Sequence, residues 1–453
     1  MALTQFYLHY QEMALIIVCA FFLLYGLNQY VKGRKGRGAF VFFFLLTGGF
    51  HFLNQSWCPV KYTDFAVVYL MIVAFINVMK GNLTFFKPQI KIYKVVTLIG
   101  LYITLEFVRT IVLKEELFSF ALANYRTYMP IFSFWLVQEL KEREIKRLLK
   151  QIASITIVST VLFDLQPLLD IKFLQHASVE GTRYRNIPYL AYFFMFLATI
   201  RLDFNRWKSI ALVVSFLIAM VLTQHRAVMM AYVFCVGLHL LMTKKGGRFV
   251  QYGMIGLVFF LFAGERILSR FEKDGAENST MNDIQTVMNM DYSSAIYSEY
   301  EYEGGTLSFR ILLLMERIDY MLKNPRYTVF GIGTRHEDSP RTQQQFDFFL
   351  GSRRSSNDTR GQISSGDLAW VKPLMRFGFF GIVLFLYMSW VVIKYLYGRR
   401  KESNMAMSAF LFYLFLIIIS FKNDHLYGNM QMFFVYLLIE YIRYSDVNLR
   451  IKS

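Results

Sequence analysis

The chain has 453 residues, 55% of them hydrophobic and 18% charged, where a soluble globular protein carries roughly 25% charged residues; an ordinary water-soluble domain is excluded. The net charge of +17 is spread over short connections between apolar blocks rather than gathered on one face, which argues against nucleic acid as the partner. Cys19, Cys58 and Cys235 are too few and too scattered for a disulfide framework or a metal centre.

Taken in chain order, the apolar residues fall in uninterrupted blocks, among them 39–53, 65–79, 209–222, 379–396 and 405–421. A spanning helix needs about 20 mainly apolar residues, and the 46 Phe and 29 Tyr suit lipid-facing helices with aromatic rings at the interfaces. The first block, 13–25, lacks a basic leading segment and a small-residue cleavage site, so it reads as a retained helix. In all, about thirteen spans are expected, centred near residues 20, 46, 72, 104, 132, 159, 194, 215, 234, 256, 387, 413 and 435. Basic clusters occur at 32–37, 80–94, 141–150, 201–208, 244–248, 394–401 and 443–452, in every second connection. This alternation predicts an N-terminus outside and a C-terminus in the cytoplasm.

One connection differs. Arg266 to Lys372 is mixed in charge and falls outside by parity. The expected fold is therefore all-α: a polytopic transmembrane bundle (1–263 and 373–453) interrupted by a large extracytoplasmic loop subdomain (264–372). Within the loop, 307–322 reads as a surface helix with apolar residues at 311, 314, 315, 318 and 322 and a stop at Asn324-Pro325. Arg310 and Arg317 are placed on its polar face. With no soluble core in sight to bury the apolar face, the helix is expected to lie on the outer ends of the spans. The polar stretches 279–298 and 341–365 are expected to be mobile without ligand.

Ionisable residues inside spans ask for a partner or a purpose. His51, Glu106, Arg109, Arg126, Asp164, His225, Arg226, Asp424 and His425 all map near the outer helix ends, whereas a transporter places its site near mid-membrane. Arg126, Arg183, Arg185, Arg226 and Arg310 come from different connections and can converge on one mouth, where guanidinium forks match phosphate oxygens. Each also has the simpler reading of a lipid-headgroup contact or an ion pair. Glu106 and Arg109 are three apart on one helix and are expected to pair. His225 and His425 read as general bases or as ordinary hydrogen-bonding residues. Asp367 reads as a proton acceptor for a hydroxyl or as a cap on the next helix. The Gly331-Ile332-Gly333 turn does not open a nucleotide fold.

Three stretches resemble the O-antigen polymerase and O-antigen ligase superfamily of bacterial envelope polysaccharide enzymes. The first is Thr182-Arg183-Tyr184-Arg185-Asn186-Ile187-Pro188, and the second is the turn Thr223-Gln224-His225-Arg226. The third begins at Arg310, passes through Lys323-Asn324-Pro325 and Gly331-Ile332-Gly333, and closes with Arg376-Phe377-Gly378-Phe379-Phe380-Gly381. The likeness extends roughly over residues 95–445. It implies a transferase that moves a glycan from an undecaprenyl-pyrophosphate carrier to an acceptor sugar outside the cytoplasm, with no cofactor, metal or nucleotide. By resemblance, Arg226, Arg310 and the Arg183/Arg185 pair hold pyrophosphate or donor sugar, with Arg126 and His225 nearby and Asp367 on the acceptor side. Ligases of the family carry a His near the end of the large loop, where this chain has Ser364-Ser365-Gly366-Asp367. That departure favours a polymerase of O-antigen, capsule or exopolysaccharide. The implied setting is the bacterial inner membrane, with a chain-length regulator and a flippase as partners. The alternatives are a ligase of the same superfamily, a flippase or other transporter, and a structural membrane protein.

Overall fold

The computed structural model describes residues 2–50, 61–169, 179–180, 183–184, 187–188, 190–203, 206–223, 225–243, 306–346, 348, 350, 363, 368–421 and 425–452. The protein is helical. The first half of the bundle is α1 (Ala2–Val31), α2 (Lys35–Leu46), α3 (Tyr62–Met79), α4 (Lys91–Val112), α5 (Phe118–Tyr125), α6 (Phe134–Val137) and α7 (Glu142–Leu169). A two-residue antiparallel pair follows, β1 (Val179–Glu180) with β2 (Arg183–Tyr184). Then come α8 (Ala191–Ile200), α9 (Trp207–Leu222) and α10 (Arg226–Thr243). After 244–305, which lie outside the described residues together with the span expected near 256, the chain continues with α11 (Thr306–Lys323), α12 (Pro325–Phe330) and α13 (Pro340–Gln345). It closes with α14 (Val371–Arg399), α15 (Asn404–Ile419) and α16 (Asn429–Lys452).

Five helical segments among the described residues are long and apolar enough to cross a membrane: Met13–Val31, Tyr62–Met79, Lys91–Val112, Glu142–Leu169 and Val371–Arg399. α8, α9, α15 and most of α10 are apolar but shorter. Two expected span centres do not fall inside a continuous helix. Residue 46 is the last of α2, because Gly48, Gly49 and Phe50 take positive φ and turn the chain. Residue 132 lies in a 3-10 turn, Met129–Ser133, between α5 and α6, where Pro130 supplies no amide hydrogen.

The core centres on α16, whose segment Phe433–Ile439 is buried all round. Phe433 stacks on Phe43 of α2 at 5.2 Å, Tyr436 meets Tyr93 of α4 at 5.7 Å, and Phe434 meets Phe193 of α8 at 4.9 Å. Such aromatic pairs contribute about 0.5–1.5 kcal/mol each beyond the area they bury. The basic connections at 32–37, 80–94, 141–150 and 443–452 meet at one end of the bundle. There Glu139 accepts hydrogen bonds from Lys35 (2.7 Å), Tyr30 (2.9 Å) and Asn82 (3.3 Å), Gly36 N donates to Glu144, and Arg443 reaches Gln89. The sorting of charge along the sequence is thus a sorting in space.

α11 occupies the expected residues, but its buried face is not the expected one. Leu312, Leu313, Glu316, Arg317 and Met321 are buried, while Leu322 is 59% exposed. Arg317, placed on the polar surface of a surface helix by its sequence, is 1% exposed. It pairs with Glu316 and stacks on Phe348 at 4.6 Å. A core does exist to receive this face: Tyr327, Ile332, Phe346, Phe348, Leu350 and Ile363 close over it together with Val371 and Met375 of α14. The stretch 341–365 is also partly fixed. α13 covers its start, and two buried carboxylates hold backbone amides farther on: Leu350 N donates to Glu316 at 3.1 Å and Ile363 N to Glu337 at 3.0 Å. Residues 351–362 and 279–298 lie outside the described residues.

Candidate functional site

At the end opposite the basic connections, the last turns of α4 carry Glu106, Arg109 and Thr110 on one face. Arg109 Nε donates to Glu106 Oε2 at 2.7 Å, as its i,i+3 spacing predicts. The same guanidinium lies 3.5 Å from Glu115 and donates to the carbonyl of Gly331 at 2.9 Å. Thr110 Oγ1 accepts from Thr334 N at 3.0 Å. The Gly331–Gly333 turn is in this way seated on α4.

Its other side is locked to α14. Ile332 N donates to Met375 O (2.8 Å) and Gly333 N to Arg376 O (3.0 Å). This approach demands glycine on both strands of the contact. Gly331 has φ +74 and its Cβ would collide with the Arg376 backbone. Gly378 has φ +63 and ψ −168 inside α14, and its Cβ would collide with Val329 O. Only glycine adopts that backbone region freely. The two halves of the third sequence stretch are therefore interlocking parts of one turn.

Beyond the turn, residues 335–341 drape over the ends of α4 and α5. Asn124 donates to Arg335 O (3.1 Å), Ser339 Oγ to Glu116 (2.7 Å), and Arg341 to Lys114 O (2.6 Å). Glu115 is the hub: buried, with Arg326 at 2.5 Å, Arg109 at 3.5 Å and Arg335 at 3.8 Å. Arg335 also bonds Gln345 and lies over the rings of Tyr327 and Phe346. Burial holds the His336 imidazole below its usual range; the positive charge of Arg376 adds to the depression, while Glu116 and Glu337 oppose it.

The other two sequence stretches meet at a second group. Tyr184 and Ile187 pack on Phe163 of α7 and on Ala219 and Leu222 of α9, with the Tyr184 and Phe163 rings edge to face at 6.3 Å. Leu222 leads into Thr223 and the half-buried His225, which precedes Arg226, the first residue of α10. One turn deeper, Asp164 of α7 accepts from Ser215 of α9 at 2.5 Å, and its other carboxylate oxygen is buried with no hydrogen-bond partner among the described residues.

Of the expected site residues, Arg126 caps α5 and is paired with Asp64 at 3.0 Å. Arg310 is half-buried on α11, and His225 stands beside the second group. The side chains of Arg183, Arg226 and His425 lie outside the described residues, as do Arg185, Asp367, His51 and Asp424. Glu115, Glu116, Arg335, His336 and Arg376 were not singled out as site residues. The signal for the first two was an acidic pair directly after a helix end; for Arg376 it was its place in a quoted glycine stretch. Among the described residues no cluster of His, Cys, Asp and Glu is placed to hold a metal ion. No family model matches the chain, and no curated protein matches it.

Proposed function

We propose that this chain is a bacterial surface-polysaccharide polymerase. It spans the inner membrane about thirteen times, with the 264–372 subdomain and the N-terminus outside and the C-terminus in the cytoplasm. Its donor is an undecaprenyl-pyrophosphate-linked oligosaccharide and its acceptor a second lipid-linked repeat unit. In the reaction, an acceptor hydroxyl attacks the anomeric carbon of the donor sugar and the bond from that carbon to the pyrophosphate oxygen breaks. Pyrophosphate leaves with the bonding pair, its growing charge met by Arg226, Arg310 and the Arg183/Arg185 pair. Asp367 takes the hydroxyl proton.

The observation that supports this reading is that the described residues of the first two stretches pack together and those of the third lock onto α4 and α14, at the end opposite the basic connections. A site at a membrane face suits a lipid-borne pyrophosphate, whose polar head stays at the interface while its polyprenyl chain stays in the bilayer.

Purified full-length protein incubated with a synthetic undecaprenyl-pyrophosphate repeat unit is expected to give a ladder of products on a gel. A single addition to another acceptor makes the chain a ligase, and no transfer removes the enzyme reading. Arg226→Lys keeps the charge but loses the fork, so product is expected to fall steeply at normal expression. For orientation, cysteines introduced at 145 and 246 are expected to resist an impermeant thiol reagent in intact cells and one at 355 to be labelled. The reverse pattern overturns the topology.

A further inference from the structure

Three arginines are buried among the described residues: Arg317, Arg335 and Arg376. The first pairs with Glu316, and the second lies against Glu115. Arg376 is 4% exposed and has no carboxylate within ion-pair distance among the described residues. Its contacts are one hydrogen bond from Nη1 to Tyr128 OH (2.8 Å) and the Tyr128 ring, 5.8 Å from its guanidinium carbon. Its Nε is buried with no acceptor among the described residues. Lys372, one helical turn away, sets its ammonium 5.6 Å from the centre of the same ring. Two cations thus flank Tyr128, and among the described residues no carboxylate lies within ion-pair distance of Arg376.

A buried cation without a counter-ion is costly, because the chain gives up its hydration and gains no Coulomb attraction in return. The fold nevertheless holds Arg376 firmly, since its backbone carbonyl is half of the Gly331–Gly333 lock. We propose that Arg376 is the protein's half of an anion site, and that a phosphate group carried on a lipid supplies the other half. Planar donors on Arg376, the Tyr128 hydroxyl and the nearby Lys372 ammonium match the several oxygens of a phosphate better than the single pair of a carboxylate. The lipid tail has a path. Phe379, Phe380 and Val383, which follow on α14, are exposed apolar side chains at this end of a membrane-length helix. Burial chiefly lowers the nearby His336 imidazole, and the Arg376 charge adds to that lowering. The inference goes beyond the transferase reading and stands without it, because it is read by binding rather than by turnover.

The test uses full-length protein in phosphatidylcholine nanodiscs and compares the wild type with Arg376→Lys and Arg376→Gln. Melting temperature and affinity are followed with undecaprenyl phosphate in the disc, with phosphatidylglycerol in the disc, and with inorganic pyrophosphate in solution. Wild type is expected to be stabilised by undecaprenyl phosphate, Arg376→Lys to bind about tenfold more weakly, and Arg376→Gln not to respond. An Arg376-dependent response of equal size to phosphatidylglycerol assigns the site to ordinary phospholipid headgroups and upholds it, whereas one confined to inorganic pyrophosphate overturns the lipid-borne ligand. In ligand-free discs Arg376→Gln is expected to melt no lower than wild type, since it removes an uncompensated charge. A wild type that responds to none of the three probes, or an Arg376→Gln protein that responds as the wild type does, overturns the proposal. So does a ligand-free Arg376→Gln protein that melts well below wild type, because Arg376 is then a structural cation.

Discussion

The two ends of the bundle treat charge differently. At the basic end, Glu139 gathers Lys35, Tyr30 and Asn82, and the Lys35 side chain remains 35% exposed. At the opposite end, Glu115 is buried and approached by three arginines, while Arg376 is buried and meets no carboxylate among the described residues. The first arrangement holds neighbouring helix ends together through one partly exposed hub. The second retains desolvated charges that a purely structural end would replace with apolar side chains. The glycines differ in the same sense: Gly33 at the basic end has φ +75 and open space around it, whereas Gly378 has φ +63 and a carbonyl in the way.

The largest effect that sharpens this contrast belongs to Gly378→Ala. Forbidden backbone and a collision with Val329 O together are expected to cost more than about 3 kcal/mol, seen as loss of a monodisperse peak in detergent. Gly33→Ala, with positive φ but no collision, is expected to cost about 1 kcal/mol. Similar losses from both substitutions break the contrast.

Next in size is Glu115→Gln. It strips a buried carboxylate from Arg109, Arg326 and Arg335 and is expected to cost about 3 kcal/mol, measured as a fall in melting temperature. Glu139→Gln, at the partly hydrated end, is expected to cost about 1 kcal/mol. Equal costs mean that burial does not distinguish the two hubs.

The smallest effect is a pH dependence. His336 has its folded pKa depressed below the unfolded value, chiefly by burial. Its neutral form is thus favoured, and its stabilising contribution is complete above an unfolded pKa of about 6.5. That contribution is lost as pH falls through the folded value. The difference in melting temperature between wild type and His336→Gln is expected to be constant above neutrality and to change below it. A difference that stays constant down to acid pH removes His336 from the charge balance of this end.

Much of this was legible beforehand, and the reasons are physical. Apolar blocks and alternating basic loops report on the solvent of each segment, a local property, so most helices and their two ends followed from them. The boundaries of α11 followed from Asn324-Pro325 for the same reason. Its rotation did not. Leu312, Leu313 and Leu314 are chemically equivalent along the chain, and Phe348, far away in sequence, is what draws Arg317 inward. The Glu115 hub was equally hidden, because Arg326 and Arg335 reach it across more than two hundred residues. Of the candidate site, the Glu106–Arg109 pair was legible from its spacing; the partners of the other charges were not, since pairing is decided by tertiary contact. Arg126 illustrates it: one of five candidate cations by sequence, it is held by Asp64 in the folded chain.

The enclosure of α16 also bears on biosynthesis. The helix whose aromatic rings separate α2, α4 and α8 follows all three in the chain. It therefore leaves the ribosome after they have entered the membrane. Until then Phe43, Tyr93 and Phe193 lack the aromatic partners that α16 supplies. Assembly is accordingly timed by chain order: early helices are inserted loosely, and the bundle tightens when its axis arrives. A stalled or truncated nascent chain that ends before residue 429 would keep its spans but lack that axis, presenting a cluster of aromatic surface to whatever degrades unfinished membrane proteins.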